Sequence, residues 1–232
     1  SVVSSRGVYH LPIEKYEKHP SLQLTSYDVI APSWAYAPDP ELDVQQKMPN
    51  VLGEFVWTGF DYLGYPTPYN DEAVKEGKIT KEQIANSSYF GIVDMCGIPK
   101  DRYYLYKSYW APEKTTVYIL PHWNWSGMEG QKIPVFVYTN GDCAELFLNG
   151  KSLGKQCKKP DSEKSYERFR IIWDGVEYMP GELKAVAYNK GIMIGESFVK
   201  TTGEPNLIKL TPDRHELKSD GTDLSYVLVE AL

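Results

Sequence analysis

Four residues of this chain combine the right chemistry with suggestive spacing. Glu54, Trp57 and Asp61 fall in one run, Val51-Leu-Gly-Glu-Phe-Val-Trp-Thr-Gly-Phe-Asp-Tyr-Leu-Gly-Tyr-Pro-Thr-Pro-Tyr69, and Asp94 closes Phe90-Gly-Ile-Val-Asp94. Carboxyl groups serve as general acids, bases and nucleophiles. A flat indole offers an apolar face for stacking and an N–H for a hydrogen bond, which suits a sugar ring. The four histidines, His10, His19, His122 and His215, neither cluster nor show metal-ligand spacing. No G-x-S-x-G elbow, phosphate-binding glycine loop or Cys/His nucleophile pattern occurs. Neither a metal nor a cofactor is therefore expected.

Placing those residues requires an element. Val51–Trp57 reads as one buried strand that feeds an aromatic loop punctuated by Gly and Pro, and strand ends of this kind carry the chemistry of α/β barrels. Strand side chains alternate between faces, so Phe55 and Trp57 point one way and Glu54 and Val56 the other. With Trp57 at the barrel mouth, Glu54 faces the surrounding helices as a buried polar clasp. Asp61 shares the parity of Trp57 but lies beyond the strand. The connection from Phe60 to Tyr89 is long enough to be functional rather than filler, and it contains a polar helical patch over Thr80–Ala85.

Three segments differ in character. Residues 1–112 read as mixed α/β structure, with a short helix over Glu41–Met48. A second helix covers Asp101–Trp110 between Pro99 and Pro112, with Leu105, Tyr106, Tyr109 and Trp110 on one face. Residues 113–204 carry short alternating strands at 116–120, 135–139, 144–148, 169–173, 182–188 and 193–199. Asn149-Gly150 is a type I′ hairpin signal because both positions tolerate positive φ. Strands at this spacing predict an immunoglobulin-like sandwich. Residues 205–232 supply two further strands, the opening of another sandwich, and two strands alone bury no core.

Bulk properties narrow the function. A net charge of -6 with no long basic run argues against nucleic-acid binding; the cluster Lys155–Lys159 is a solvated hairpin end. No apolar stretch reaches membrane-spanning length, so no membrane partner is expected. Cys96, Cys143 and Cys157 match no zinc or disulfide spacing and read as free thiols. Tyr, Trp and Phe make up 13% of the residues, which suits either sugar-binding surfaces or the core of a sandwich. Trp123 and Trp125, two apart, would share one face of a strand as a sugar-stacking pair, or pack against the first segment.

Longer motifs bring a family into view. Gly53–Tyr69 resembles the eighth barrel strand of glycoside hydrolase family 2, which holds the β-galactosidases and β-glucuronidases. Tyr89-Phe-Gly-Ile-Val-Asp-Met-Cys-Gly-Ile-Pro-Lys-Asp-Arg-Tyr-Tyr104 is similar to the segment leading into the last barrel helix. Pro121-His-Trp-Asn-Trp125 and Glu145-Leu-Phe-Leu-Asn-Gly-Lys-Ser-Leu-Gly154 resemble the sandwich that follows the barrel, and Leu210-Thr-Pro-Asp-Arg214 the start of a further immunoglobulin-like domain. The resemblance implies the last part of a (β/α)8 barrel over 1–112, a complete sandwich over 113–204 and the first strands of another over 205–232.

It also implies retaining hydrolysis of β-glycosides by two glutamates about 5–5.5 Å apart. In relatives the acid/base follows the fourth barrel strand and the nucleophile ends the seventh. Ser1-Val-Val-Ser-Ser-Arg-Gly-Val-Tyr9 resembles the stretch just after the nucleophile, so both catalytic glutamates are expected upstream of Ser1 and the segment alone is expected to be inactive. Trp57 matches the tryptophan lining the sugar site, and Asp61 matches the same pattern as a substrate-binding residue. The Asn and Lys of glucuronate-selective relatives are not evident near Tyr89-Phe90, which favours a neutral β-galactoside or related glycan. The family resemblance also suggests a periplasmic or secreted location. A partial barrel exposes its sheet edge, so a homo-oligomer through that edge is expected. The alternative function is a carbohydrate-binding or interdomain module built on the sandwich.

Overall fold

The alternating segments after residue 113 form two antiparallel sheets in a computed structural model that describes residues 7–11, 13, 24–31, 35–64 and 69–232. Their seven strands are β1 (Val117–Leu120), β2 (Lys132–Thr139), β3 (Cys143–Leu148), β4 (Lys151–Cys157), β5 (Ile171–Glu177), β6 (Glu182–Asn189) and β7 (Ile192–Lys200). One sheet has the order β1-β2-β5 and the other β4-β3-β6-β7. Asn149 and Gly150 have φ of 51° and 80°, the paired positive values a type I′ turn needs. The Asn149 side chain also docks the turn, accepting from Glu182 N–H at 2.8 Å and donating to the Pro180 carbonyl at 3.0 Å.

Three bulges adjust this register, one of them at Ile194 of β7, opposite Ala187 and Tyr188. Ile133 pairs with Val176 and Val135 with Trp173, so Asp174 and Gly175 together oppose Pro134. Proline has no N–H for a central ladder, and the bulge absorbs that gap. On the other sheet Glu145 pairs with Lys155 and Phe147 with Ser152, leaving Leu153 and Gly154 opposite Leu146. Beyond this β3–β4 bulge Cys143 and Cys157 come directly opposite each other and form a disulfide, with Cα atoms 4.0 Å apart. The free-thiol expectation therefore fails for this pair and holds for Cys96, which is exposed and unbridged.

Strand β2 is buried on both faces. Ile133, Val135 and Val137 meet Ala144, Leu146, Leu183 and Ala185 between the sheets. Phe136 and Tyr138 point the opposite way, onto Leu42 of α1 (Pro38–Lys47) and Leu105 and Tyr106 of α3 (Asp101–Trp110). The α3 face is as expected up to Trp110, which is 44% exposed and stacks on Tyr106 with ring centroids 4.5 Å apart. Helix, three-stranded sheet and four-stranded sheet thus form successive layers.

Two buried ion pairs bind the first segment to these layers. Arg102 on α3 donates to both oxygens of Asp28 at 2.9 and 2.8 Å. Arg170, just before β5, holds both oxygens of Asp39 in α1 and donates to the Tyr27 carbonyl at 2.9 Å. All four side chains are essentially inaccessible to solvent, so each charge depends on its partner. Residues 1–201 form one contact unit, and the expected boundary at 112 falls inside it. Residues 202–232 form a second, in which β8 (Ile208–Pro212) pairs antiparallel with β9 (Val227–Ala231). Leu210 and Val229 on this hairpin are 61% and 63% exposed.

The buried strand expected at Val51–Trp57 is not seen. The segment carries no strand ladder, and Leu52 and Phe55 are fully exposed. A parallel strand is buried by neighbours on both sides and helices over its faces. Among the described residues, pairing here begins at Thr58 and on one side. Thr58 N–H bonds to the Phe90 carbonyl at 3.2 Å, Ile92 N–H to Thr58 at 3.1 Å, Val93 N–H to Gly59 at 3.0 Å and Asp61 N–H to Val93 at 2.9 Å. The long connection contains α2 (Asp71–Lys75) and a single 3-10 turn at Lys81–Gln83, where the helical patch was expected. Ser1–Arg6 and Tyr65–Pro68 of the motifs lie outside the described residues.

Candidate functional site

The alternation expected across 53–57 is present even without the ladder. Phe55 and Trp57 face out, while Glu54 and Val56 are half-buried, Val56 packing on the core cluster that includes Leu105 and Tyr106. Trp57 is 63% exposed and follows the alternation to the open side. Its Nε1–H donates to Tyr62 Oη at 3.3 Å, and the two rings meet edge to face at 6.1 Å. Tyr62 in turn lies against Phe90, with centroids 6.2 Å apart and planes 21° from parallel. An exposed indole held along its N–H edge by a tyrosine that is itself packed keeps ring surface open to a ligand.

Asp61 looks inward. Its Oδ1 accepts from Gly91 N–H at 2.7 Å and from Lys100 Nζ at 2.9 Å, and its Oδ2 lies 2.8 Å from the same ammonium. The Lys100 and Asp61 side chains are 3% and 10% exposed. Burial pulls the Lys100 pKa below the usual lysine range, and Asp61 opposes that shift. A Cβ on Gly91 would lie 2.2 Å from the Asp61 amide nitrogen, so glycine is what lets the two backbones approach here. The carboxylate thus fastens the loop behind Trp57, and a sugar hydroxyl would have to compete with Lys100 for it.

Glu54 lies against α1. Burial, and after it the adjacent Glu41 carboxyl, push its pKa up to about 7, while the Gln45 side chain pulls the other way. Glu54 Oε1 and Gln45 Nε2 are buried with no hydrogen-bond partner among the described residues. Together with Tyr36, Val44 and Val51 they border a mostly apolar cavity of about 340 Å³. Asp94 is spent locally, its Oδ1 accepting from the N–H groups of Cys96 at 2.9 Å and Ile98 at 2.8 Å.

Trp123 and Trp125 are core residues, which corrects the expectation of a stacking pair. They lie in the loop after Pro121 rather than on a strand, and they are 0% and 9% exposed. Both N–H groups are taken, Trp123 Nε1 by the Met179 carbonyl at 2.9 Å and Trp125 Nε1 by the His122 carbonyl at 3.0 Å. Rings enclosed between two sheets offer no face to a sugar. Among the described residues no group of three or more His, Cys, Asp and Glu could hold a metal ion. No helix among them is long and apolar enough to cross a membrane.

Known proteins resemble the chain throughout its length. The beta-galactosidase BoGH2A of Bacteroides ovatus is 37% identical over 243 residues, covering 100% of this chain and 26% of that protein. A putative beta-glucuronidase of Formosa agariphila is 35% identical, covering 82% of this chain and 17% of its own length. Among solved structures, a beta-glycosidase from Bacteroides vulgatus matches with a TM-score of 0.74 at 27% identity, over 99% of this chain and 30% of that one. A glycosyl hydrolase family 2 member from Bacteroides cellulosilyticus matches with a TM-score of 0.64 at 31% identity, over 83% and 25%. The chain belongs to glycoside hydrolase family 2.

Within that family the chain spans less than a third of each of these relatives. A family model described as a domain of unknown function (DUF4982) matches residues 130–195, the stretch from β2 into β7. The family motif around Trp57 falls on the exposed ring, its Tyr62 support and the Asp61–Lys100 fastening. Tyr62 and Lys100 are the site residues that sequence reasoning missed. Both lie inside the quoted motifs, but only the close approach of 58–61 to 90–93 brings them to Trp57 and Asp61.

Proposed function

We propose that this chain is the C-terminal segment of a retaining β-glycosidase of the β-galactosidase type. In that reading residues 1–112 complete a (β/α)8 barrel, residues 113–204 form the following sandwich, and residues 205–232 begin another. Trp57 is one wall of the sugar pocket, stacking on the substrate ring. The nucleophile and acid/base come from the protein upstream of Ser1. The observation that carries the reading is the presentation of Trp57, exposed at the start of a short parallel pairing and fixed by Tyr62. The two carboxyl groups nearest in sequence are occupied otherwise: Asp61 holds Lys100, and Glu54 lies beside Glu41. Asp61 is held by its ammonium partner, and Glu54 lies on the side opposite Trp57, so the two do not form a nucleophile and acid/base pair across a sugar bound at Trp57. We assign Asp61 to positioning the Trp57 loop rather than to direct contact with the sugar.

The substrate is a terminal β-galactoside or related neutral glycan. A β-galactosidase and a putative β-glucuronidase are both among the relatives, and the missing Asn and Lys near Tyr89-Phe90 favour the former. The disulfide suits the oxidising periplasm or exterior. The test is incubation of the chain with nitrophenyl β-galactoside and nitrophenyl β-glucuronide. No turnover of either is expected. Turnover that disappears in Glu54→Gln or Asp61→Asn would overturn the assignment of catalysis to residues upstream.

A further inference from the structure

The bulged strands β4 and β5 are both edges, of different sheets, and a cleft of about 610 Å³ opens between them. Its volume is within the range of small-molecule sites. Each strand carries its bulge at the cleft: Leu153 on β4 and Asp174-Gly175 on β5 line it. Bulges re-aim side chains out of the ladder and recur beside functional sites.

The lining has a definite chemistry. Leu148, Leu153, Trp173 and Met179 supply an apolar side. Trp173 is 7% exposed, and its Nε1–H is buried with no acceptor among the described residues. Buried indole N–H groups ordinarily find a partner. The rim carries Lys151 and Lys159 against Asp174 and Glu177, two charges of each sign, so it attracts neither anions nor cations selectively. A ligand suited to this lining is neutral, has an apolar face for Leu148, Leu153 and Met179, and bears hydroxyls able both to donate and to accept. We infer that the cleft between β4 and β5 is a second binding site, separate from Trp57, that takes a neutral mono- or disaccharide. The lysines along β4, Lys151 and Lys155, also discourage addition of a strand at this edge.

The test is an NMR titration of the ¹⁵N-labelled chain. The Trp173 indole signal is assigned by its loss in Trp173→Phe, and the probes are lactose and, separately, glucuronate. The expected result is a saturable shift of the Trp173 signal with lactose, at least about tenfold weaker with glucuronate. That shift should persist in Trp57→Ala. It should vanish in Leu153→Tyr, which fills the cleft from a half-buried edge position, provided the remaining indole signals keep their places. A Trp173 signal unmoved by lactose at saturation of the Trp57 signal overturns this site and leaves the pocket-wall reading of Trp57 standing. Equal or tighter binding of glucuronate overturns the neutral-ligand assignment.

Discussion

Lys100 Nζ lies 2.9 and 2.8 Å from the two oxygens of Asp61, and both side chains are almost wholly enclosed. The pair crosses from the base of helix α3 to the loop that follows Trp57, locking the loop to the helix. Removing one member of a buried pair leaves an uncompensated charge, at a cost of about 3–5 kcal/mol, whereas replacing both with matching apolar groups is often nearly neutral. Asp61→Ala is therefore expected to lose about that much in chemical denaturation, and Asp61→Leu combined with Lys100→Met to regain most of it. A single variant as stable as the parent chain would show that the pair does not hold the loop.

Glu54 gives the fold a pH dependence of known sign. Its pKa rises from an ordinary 4.5 to about 7, through burial first and the Glu41 carboxyl second. Because the folded state holds the proton more tightly, this group's contribution is complete below about pH 4.5 and is lost as the pH rises through about 7. Gln45 and Tyr106 are the other polar groups that face it. Stability measured by urea denaturation should fall across that window, and Glu54→Gln should flatten the fall. A Glu54→Gln profile with the parent's slope would assign the dependence to another group.

The disulfide shows where sequence reading stops. An Asn-Gly turn with an unbroken register pairs Leu148 with Lys151, and so Cys143 with Gln156. Only the extra residue at Leu153-Gly154 moves Cys157 opposite Cys143. A one-residue slip in a strand changes both partner and face, and no local motif announced this one. Alkylation of the unreduced chain should label Cys96 alone, with Cys143 and Cys157 labelled only after reduction. Replacing the pair with Ala should cost about 3 kcal/mol, the figure for a loop near this length. Three labelled thiols before reduction would contradict the pairing.

Other features were readable because they are local. Asn149-Gly150, the strand alternation of 135–139 and the Asp101–Trp110 helix each follow from turn chemistry or periodicity within a few residues. The Asp39–Arg170 pair spans 131 positions, and the burial of Trp123 and Trp125 depends on which sheets close over them. The same i, i+2 spacing serves a stacking pair and a packed core, so composition could not choose between them. Val51–Trp57 failed for a related reason: its hydrophobic pattern reports the burial the segment is suited to, and pairing partners decide whether it is reached.

An apolar face remains along that segment, with Leu52 and Phe55 fully exposed and Phe60 and Leu63 at 62% and 72%. Patches of this kind drive association. The chain is expected to self-associate in light scattering, and Phe55→Glu to shift the distribution toward monomer. A monodisperse monomer at high concentration would argue against association through this face.

The role proposed for Trp57 is to bind the sugar and not to catalyse. Titration of the chain with methyl β-galactoside, followed at the Trp57 indole by NMR, tests it directly. A saturable shift of the Trp57 signal is expected, with the Tyr62→Phe variant binding more weakly because the indole loses its hydrogen-bond support. A Trp57 signal that stays fixed while the protein remains folded would contradict the account.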